Sequence, residues 1–150
     1  PSTEDISLAA EAQALFDFYE ALADEKGVSL YLTGEGHVAG DRLMLRRTIS
    51  NLLSNALRYT PTQGQVRIEI GATGELVTLS VENTGAVISP ELLPHLFDRF
   101  FRADKSRAHP ETDGAGLGLS ITRAIVQAHG GTASVSSSDG KTRFTLAFPA

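Results

Sequence analysis

The chain has 150 residues, the length of one ordinary domain, and a formal net charge of -5. This acidic balance argues against a general nucleic-acid binder, and the absence of cysteine excludes thiolate metal sites and cysteine nucleophiles. No apolar run approaches the about 20 residues that span a bilayer, and a membrane anchor would lie upstream of this sequence. Residues 1–5 are interpreted as a linker remnant.

Apolar side chains at three- and four-residue spacing predict a first helix over residues 7–26. Ser7 is the predicted N-cap, and Gly27 supplies a left-handed stop. Glu11 lies one position beyond the place that a capping box requires. The apolar face is predicted to consist of Leu8, Ala12, Leu15, Phe16, Tyr19 and Leu22.

A strand region leads from this helix into a second, central helix. Alternating side chains predict a strand over residues 28–32, a turn over 34–37 and a further short strand at 38–39. Asp41 then caps a helix that ends near Tyr59.

Two amide side chains lie on one face of the central helix. Asn51 and Asn55 are four residues apart, and Arg58 falls close to the same line. Asn is a mediocre helix former because its side chain competes for backbone hydrogen bonds. We therefore expect a group outside the helix to use these amides. The buried stripe is predicted to be Leu45, Ile49, Leu52, Leu53, Ala56 and Leu57.

The middle of the chain predicts a hairpin, a third strand and a short helix. The strands of the hairpin cover residues 65–70 and 76–81, and the third strand runs into a glycine turn over 81–88. Pro90 at a first helical position predicts a short helix to about Phe97.

An irregular segment, a glycine series and a closing hairpin follow. Residues 103–113 have no hydrophobic period, and such loops in compact domains are commonly lids or binding loops. The glycine-rich sequence 113–119 opens a helix that ends at His129, and Asp139-Gly140 forms the hairpin turn. The buried face of this helix is predicted to be Leu117, Ile121, Ala124, Ile125 and Ala128. The closing strands are predicted at 132–136 and 142–148.

These elements predict an α+β fold with a single domain over residues 1–150. The strands are clustered rather than alternating one by one with helices. This order favours a two-layer α/β sandwich, with a mixed sheet of about five or six strands and three helices on one face.

The glycine series points to phosphate binding at a helix N-terminus. Without Cβ atoms at Gly114, Gly116 and Gly118, a ligand can approach the backbone closely. Unpaired N–H groups and the helix dipole then favour an anion. A flexible linker that ends in a helix is the alternative. The series is neither a lysine-containing phosphate loop nor a convincing dinucleotide fingerprint.

The polar candidates each keep a simpler alternative. The carbonyls of Asn51 and Asn55 are hard ligands of the kind that Mg²⁺ accepts, but exposed amides would look the same in sequence. Arg58 can neutralise phosphate or remain solvated at the helix end. Asn83 follows a strand and can bond a base edge or form only a turn. The four histidines have no metal-ligand spacing and are interpreted as structural or exposed.

Taken together, four sequence boxes resemble the catalytic ATP-binding domain of sensor histidine kinases, within the superfamily of gyrase, Hsp90 and MutL. N-L-L-S-N-A-L-R-Y-T-P is similar to the asparagine box, V-E-N-T-G-A-V-I to the first glycine box, F-D-R-F-F-R to the phenylalanine box, and G-A-G-L-G-L to the second glycine box. The resemblance covers nearly the whole chain. The wording of two boxes is most similar to the heavy-metal-sensing (copper or silver) branch.

The resemblance implies the Bergerat ATP-binding fold and a set of site residues. Asn55 would coordinate the Mg²⁺ that bridges the ATP phosphates, with Asn51 beside it as a metal residue. Arg58 and Tyr59 would flank phosphate and adenine, and Arg102 would reach the γ-phosphate, so that Asn55, Arg58 and Arg102 are the implied catalytic residues. The other implied nucleotide contacts are Asn83, Gly85, Ile88, Phe101, Gly114, Gly116, Leu117 and Gly118. Residues 103–113 would form the ATP lid.

Two departures from the family pattern concern the first glycine box. Asn83 stands where the family usually has an aspartate that accepts from the adenine amino group, and Val87 replaces the second glycine. An uncharged amide accepts more weakly than a carboxylate. We therefore expect an effect on nucleotide affinity and on adenine selectivity, with the phosphate site retained.

One position distinguishes a kinase from the ATPase relatives. Gyrase-like members carry a glutamate that activates water four residues before the metal-binding Asn, and this chain has Asn51 there. Because Asn51 cannot act as a base, transfer to an enzyme-supplied nucleophile is favoured over hydrolysis. A gyrase-type ATPase and a degenerate nucleotide-binding or interaction module are the alternative functions.

The phosphoacceptor that the resemblance implies is absent from this sequence. None of the four histidines lies in the family's H-E-x-x-x-P context. The expected function is therefore that of a catalytic domain, monomeric alone, that phosphorylates a His on another domain of its parent protein. That parent is expected to be a homodimer anchored in the inner membrane with this domain in the cytoplasm, and to act indirectly on a response regulator.

Overall fold

Seven strands and three α-helices make up the part of the protein that the structure describes. This structure is a computed structural model, and it describes residues 3–85, 90–98 and 117–150. No helix in these three segments is long and apolar enough to cross a bilayer. In chain order the elements are β1 (Glu4–Ser7), α1 (Leu8–Lys26), β2 (Ser29–Gly34), β3 (His37–Gly40), α2 (Arg42–Tyr59), β4 (Gln65–Ala72), β5 (Leu76–Thr84), a short 3-10 helix (Leu93–His95), α3 (Leu117–Ala128), β6 (Thr132–Ser138) and β7 (Lys141–Pro149).

The strands form one mixed sheet and one small ribbon. The main sheet has five strands in the order β2-β4-β5-β7-β6, and β1 and β3 pair separately. Among the described strands, β2 and β4 are parallel and the other four pairs are antiparallel. The predicted mixed sheet with three helices in a two-layer arrangement is confirmed.

The two faces of the main sheet differ in polarity. One face packs with the helices in a single apolar core, which includes Val66, Ile68, Val81, Phe144 and Leu146. On the opposite face, the Arg67 guanidinium lies 4.5 Å from the centre of the Tyr31 ring. Arg143 on that face contacts Glu69 at 2.9 Å and Glu82 at 3.4 Å. This polar face explains why the strands alternate in sequence.

The first turn of α1 is capped by a residue that is distant in sequence. The Ser7 hydroxyl accepts from Ala10 N (3.0 Å) and donates to Glu35 Oε2 (2.8 Å). Glu35 Oε1 accepts from the backbone N–H groups of Ala9 and Gly36 at 3.2 and 2.8 Å. Glu35 therefore satisfies an N–H group in the first turn of α1 that has no partner within the helix. The Ser7 hydroxyl, followed by the N–H groups, lowers the pKa of the Glu35 carboxyl.

Replacing Glu35 by glutamine is expected to lower the thermal unfolding midpoint by roughly 2–4 °C at neutral pH. An uncharged amide accepts more weakly than the carboxylate. Since folding lowers the pKa of Glu35, the stabilisation is complete above the ordinary carboxyl pKa and is lost as pH falls through the folded value. Melting curves from about pH 5 down to pH 3 should therefore show the two proteins converging. Glu20→Gln, at an exposed position on the same helix, is the control and should show no such convergence.

Glu11 is a buried carboxylate, with 2% of its side chain exposed, that joins α1 to α2. It accepts from Arg42 Nη1 at 2.6 Å and from Arg46 Nε at 2.9 Å. Arg42 also contacts Glu4 of β1 at 2.9 Å. Hydrogen bonding to Glu4, with a further contribution from Glu11, raises the pKa of Arg42. Glu11, one position beyond that of a capping-box residue, thus contributes to the packing of α1 against α2.

The structure differs from the sequence prediction at the N-terminus. Glu4 and Asp5, predicted as linker, belong to β1, which pairs antiparallel with β3 from Glu4↔Gly40 to Ser7↔His37. Ile6, the next residue of β1, is fully buried. The strand is short and its partner is distant in sequence, so no local alternation of apolar and polar residues predicts it.

Two further differences concern helices. In place of the predicted helix over 90–97, the described residues contain only a 3-10 helix at Leu93–His95. Among residues 118–128 of α3, Thr122, Ile125 and Val126 are buried, whereas Ala124 and Ala128 are exposed. The observed buried face is therefore displaced by about one residue from the predicted face. The prediction counted Ala124 and Ala128 as buried, but alanine is small enough to be tolerated at exposed positions.

Candidate functional site

The amide pair is held by a helix whose ends and buried stripe match the sequence prediction. Asp41 caps α2 by accepting from Met44 N at 3.1 Å. All six stripe residues are buried: Leu45, Ile49, Leu52, Leu53, Ala56 and Leu57. Because that stripe packs in the core, Asn51 and Asn55 lie beside it on α2 and are both half-buried. The core thus determines where these amides lie.

Asn51 contacts the first turn of α3. Its Nδ2 lies 3.3 Å from the Gly118 carbonyl oxygen and 3.5 Å from Thr122 Oγ1. A carbonyl can only accept, so the amide nitrogen must face α3. Among the described residues no donor bonds Asn51 Oδ1. The expectation that a group outside the helix uses this amide is confirmed, and that group belongs to the helix that follows the glycine series.

Asn55 lies one turn after Asn51 on the same helix. Within the segments that the structure describes, its side chain makes no hydrogen bond and is half-buried. An amide that is neither satisfied by protein nor fully exposed can offer its carbonyl oxygen to a ligand. Among the described residues, neither amide oxygen is bonded by a protein donor, and Asn51 lies beside the start of α3. Amide oxygens of this kind are hard ligands.

The end of β5 meets the end of α2. Gly85 has φ +143°, and a Cβ there would lie 3.1 Å from Tyr59 O and 3.0 Å from Pro61 Cδ. A larger residue would push these two ends apart. Gly85 N also donates to Gly140 O of the closing hairpin at 2.9 Å. This contact brings Gly85 of the first glycine box against the C-terminal end of the asparagine box.

Asn83 is buried on the core side of the sheet, with 4% of its surface exposed. It pairs in register with Val66 on one side and Thr142 on the other. Its Nδ2 donates to Thr84 O at 3.3 Å, and no donor among the described residues bonds its Oδ1. Thr142, also buried, has its hydroxyl 2.9 Å from Ser137 Oγ. Sequence analysis missed Thr142, because threonine is common in strands and only the sheet register places it beside Asn83.

Lys26 caps the C-terminal end of α2 from the neighbouring helix. Its ammonium donates to the Leu57 carbonyl and, at 2.9 Å, to the Arg58 carbonyl. These are the carbonyls that a helix C-terminus leaves without partners. Burial, and secondly the charge of Arg58, lowers the pKa of Lys26. This cap, which sequence analysis also missed, fixes the backbone from which Arg58 and the 45% exposed Tyr59 project.

His129 connects the far end of α3 to the start of α2. Its Nδ1–H donates to Ile125 O at 2.8 Å, and its Nε2 accepts from Asp41 N at 3.1 Å. The histidine is therefore structural, as predicted. The described segments contain no group of three or more His, Asp or Glu that could hold a metal ion.

The remaining predicted site residues fall in parts of the chain that the structure does not describe. Gly118 is the member of the second glycine box whose position is known, and it lies beside Asn51. The side chain of Leu117 is likewise outside the description. The other undescribed residues of the predicted site are Ile88, Phe101, Arg102, Gly114 and Gly116, together with the predicted lid at 103–113.

Comparison with known proteins gives one family and several relatives. Residues 40–150 match the model of the histidine kinase-, DNA gyrase B-, and HSP90-like ATPases. The sensor histidine kinase CusS of Escherichia coli K12 is 50% identical over 151 aligned residues, which cover all of this chain and 31% of CusS. The chain thus spans about a third of that relative. This similarity supports the heavy-metal-sensing branch.

Solved structures give the same result for the fold. The catalytic domain of the histidine kinase ThkA has 25% identity and a TM-score of 0.86, covering 99% of this chain and 98% of that one. Full-length ShkA in complex with AMPPNP has 25% identity and a TM-score of 0.83, covering 99% of this chain and 31% of ShkA. The chain therefore belongs to the histidine kinase-, DNA gyrase B-, and HSP90-like ATPase family, as the sequence boxes indicated.

Proposed function

We propose that this chain is the ATP-binding catalytic domain of a two-component sensor histidine kinase. It binds Mg-ATP and transfers the γ-phosphate to a histidine on a phosphotransfer domain outside this sequence. One observation carries the proposal: the amide face of α2 lies against the first turn of α3, the helix that follows the glycine series. The N–H groups at the start of a helix favour phosphate, and amide oxygens favour a metal ion, so this junction is a suitable place for a triphosphate.

The described residues of the junction divide into a phosphate end and a base end. At the phosphate end, the backbone N–H groups in the first turn of α3 and the charge of Arg58 favour an anion. At the base end, Asn83 Oδ1 is available to accept from an adenine amino group, and Thr142 lies beside it in register. The contact of Gly85 with the C-terminal end of α2 connects the phosphate end of the site to its base end. Tyr59, which is partly exposed, would flank the nucleotide.

The residues at the phosphate end fit a magnesium ion. Mg²⁺ usually takes only one or two protein oxygens and completes its shell with water and phosphate. Asn55 and Asn51 supply two such amide oxygens, neither bonded by a protein donor in the described segments. When bound, the ion would neutralise phosphate charge, and Asn55 with Asn51 would hold it.

The polar contacts of Asn51 favour a kinase over an ATPase. An amide has no basic nitrogen, and the nitrogen of Asn51 donates to Gly118 O. This position therefore cannot take a proton from water. The domain would orient the phosphates and exclude water while an external imidazole attacks. Outside the described residues, Arg102, Phe101, Ile88, Gly114, Gly116 and Leu117 remain proposed nucleotide contacts.

The partners of the whole protein follow from the same proposal. The chain spans 31% of CusS, so the phosphoacceptor and sensory parts would lie elsewhere in the parent. We propose a homodimeric parent in the inner membrane, with this domain on the cytoplasmic side and a response regulator receiving the phosphate later. Nucleic acid is not among the proposed partners.

The isolated chain is expected to bind ATP in a magnesium-dependent manner without labelling itself. Calorimetric titration with ATP, with magnesium or with a chelator, measures the first property. Incubation with γ-labelled ATP measures the second, together with phosphate release. Binding with neither labelling nor appreciable release is the expected result, because the chain has no acceptor histidine in the family context. Robust labelling would contradict the assignment of the acceptor to another domain, and rapid release would favour an ATPase.

A further inference from the structure

Thr122 is a fully buried polar residue of α3 beside Asn51. Its relative exposure is 0%, and its hydroxyl lies 3.5 Å from Asn51 Nδ2. This is the hydrogen-bond contact that the described residues provide for its side chain. The sequence prediction placed Thr122 off the buried face of α3, so it gave this residue no role.

A hydroxyl at such a position needs a partner to justify its burial. Burying an unbonded hydroxyl costs free energy, whereas valine has nearly the same shape and no polar atom. Packing alone would therefore favour valine at position 122. The contact with Asn51 gives the hydroxyl a physical role.

The amide of Asn51 is shared between two acceptors on α3. Gly118 O and Thr122 Oγ1 are contributed by residues four apart, and thus one turn apart, on that helix. The Gly118 carbonyl determines that the amide nitrogen faces α3. At 3.3 and 3.5 Å both contacts are long, so neither alone holds the amide firmly in that orientation. Together they direct Nδ2 toward α3 and leave Oδ1 without a protein donor among the described residues.

We infer that Thr122 is a positioning residue: it orients the Asn51 amide so that Oδ1 faces the magnesium-bound phosphates. The inference rests on the proposed function and adds to it a residue of α3 that acts only on the magnesium-dependent part of nucleotide binding. Thr122 itself touches neither metal nor nucleotide.

The test compares Thr122→Val with a matched control, Thr48→Val. Thr48 is equally buried, on α2, but its hydroxyl bonds its own helix at Met44 O (3.1 Å). For each protein, ATP affinity is measured by calorimetry with magnesium and with a chelator, and the ratio of the two affinities is compared. Thr122→Val should reduce this ratio about fivefold, the loss expected for one hydrogen bond, while affinity in chelator stays unchanged. Thr48→Val should leave the ratio unchanged.

The possible outcomes separate this inference from the proposed function. If wild-type protein binds ATP and Thr122→Val keeps the full magnesium ratio, the inference is overturned and the proposed function stands. Equal weakening with and without magnesium also overturns it, because that result indicates only a structural role. A wild-type protein that binds no ATP overturns both.

Discussion

Replacing Asn55 by alanine is expected to abolish the gain in ATP affinity that magnesium provides, a loss of about 10- to 150-fold for one contact to a charged group. The side chain is half-buried and bonds no protein group in the described segments. Removing it therefore leaves no protein donor or acceptor without a partner. The fold should survive, with a thermal midpoint within a few degrees of wild type. Calorimetry with ATP and magnesium measures the loss.

Ser54→Ala is the matched control for this experiment. Ser54 is the exposed neighbour of Asn55 on α2. Among the described residues, its hydroxyl bonds only the backbone oxygen of Asn51, at 3.2 Å. Its removal should leave both the fold and the affinity unchanged. An Asn55→Ala protein with a normal melting curve and unchanged affinity would show that this residue does not hold the metal.

The second large effect is expected from removing both arginines that pair with Glu11. The double variant Arg42→Met, Arg46→Met leaves a buried carboxylate without a partner, and such groups are strongly destabilising. At this chain length the thermal midpoint should fall by roughly 10 °C. Thermal unfolding followed by circular dichroism measures the fall.

Two comparisons identify the buried charge as the cause. Arg47→Met, at an exposed position of α2, should change the midpoint little. Adding Glu11→Met to the double variant should recover most of the loss, because the unpaired charge is removed and an apolar side chain takes its place. If the triple variant were no more stable than the double variant, loss of the arginine stems from packing would explain the result better.

The parts of the fold that the sequence predicted are those with a local cause. Helix α2 has its N-cap at Asp41, a full apolar stripe and a proline two residues after its last residue, and it was predicted with its observed ends. The closing hairpin turns at Asp139 and Gly140 with φ of 55° and 75°, the left-handed pair that these residue types favour. Neighbours in the chain decide both features.

What could not be predicted depends on residues far apart in the chain. Glu11 meets Arg42 and Arg46 across 31 and 35 positions. Strand β1 exists because β3 lies beside it. Neither propensity nor period contains this information.

The candidate site shows the same division. The spacing of Asn51 and Asn55 predicted a shared face and an outside partner, since helix geometry alone requires the first and the poor helix propensity of Asn suggests the second. The identity of that partner, Gly118 O, required the packing of α2 against α3 across 67 positions. The Lys26 cap and the Thr142 neighbour of Asn83 depend on tertiary structure in the same way.

The attachment of α3 at both of its ends has a consequence for hydrogen exchange. Its first turn is tied to Asn51, and the His129 ring beyond its last turn is tied to the backbone of Asp41. Neither helix can fray separately at these points without breaking a bond to the other. Amides in the middle of α2 and α3 should therefore exchange with solvent through one shared opening event, with closely matched protection factors.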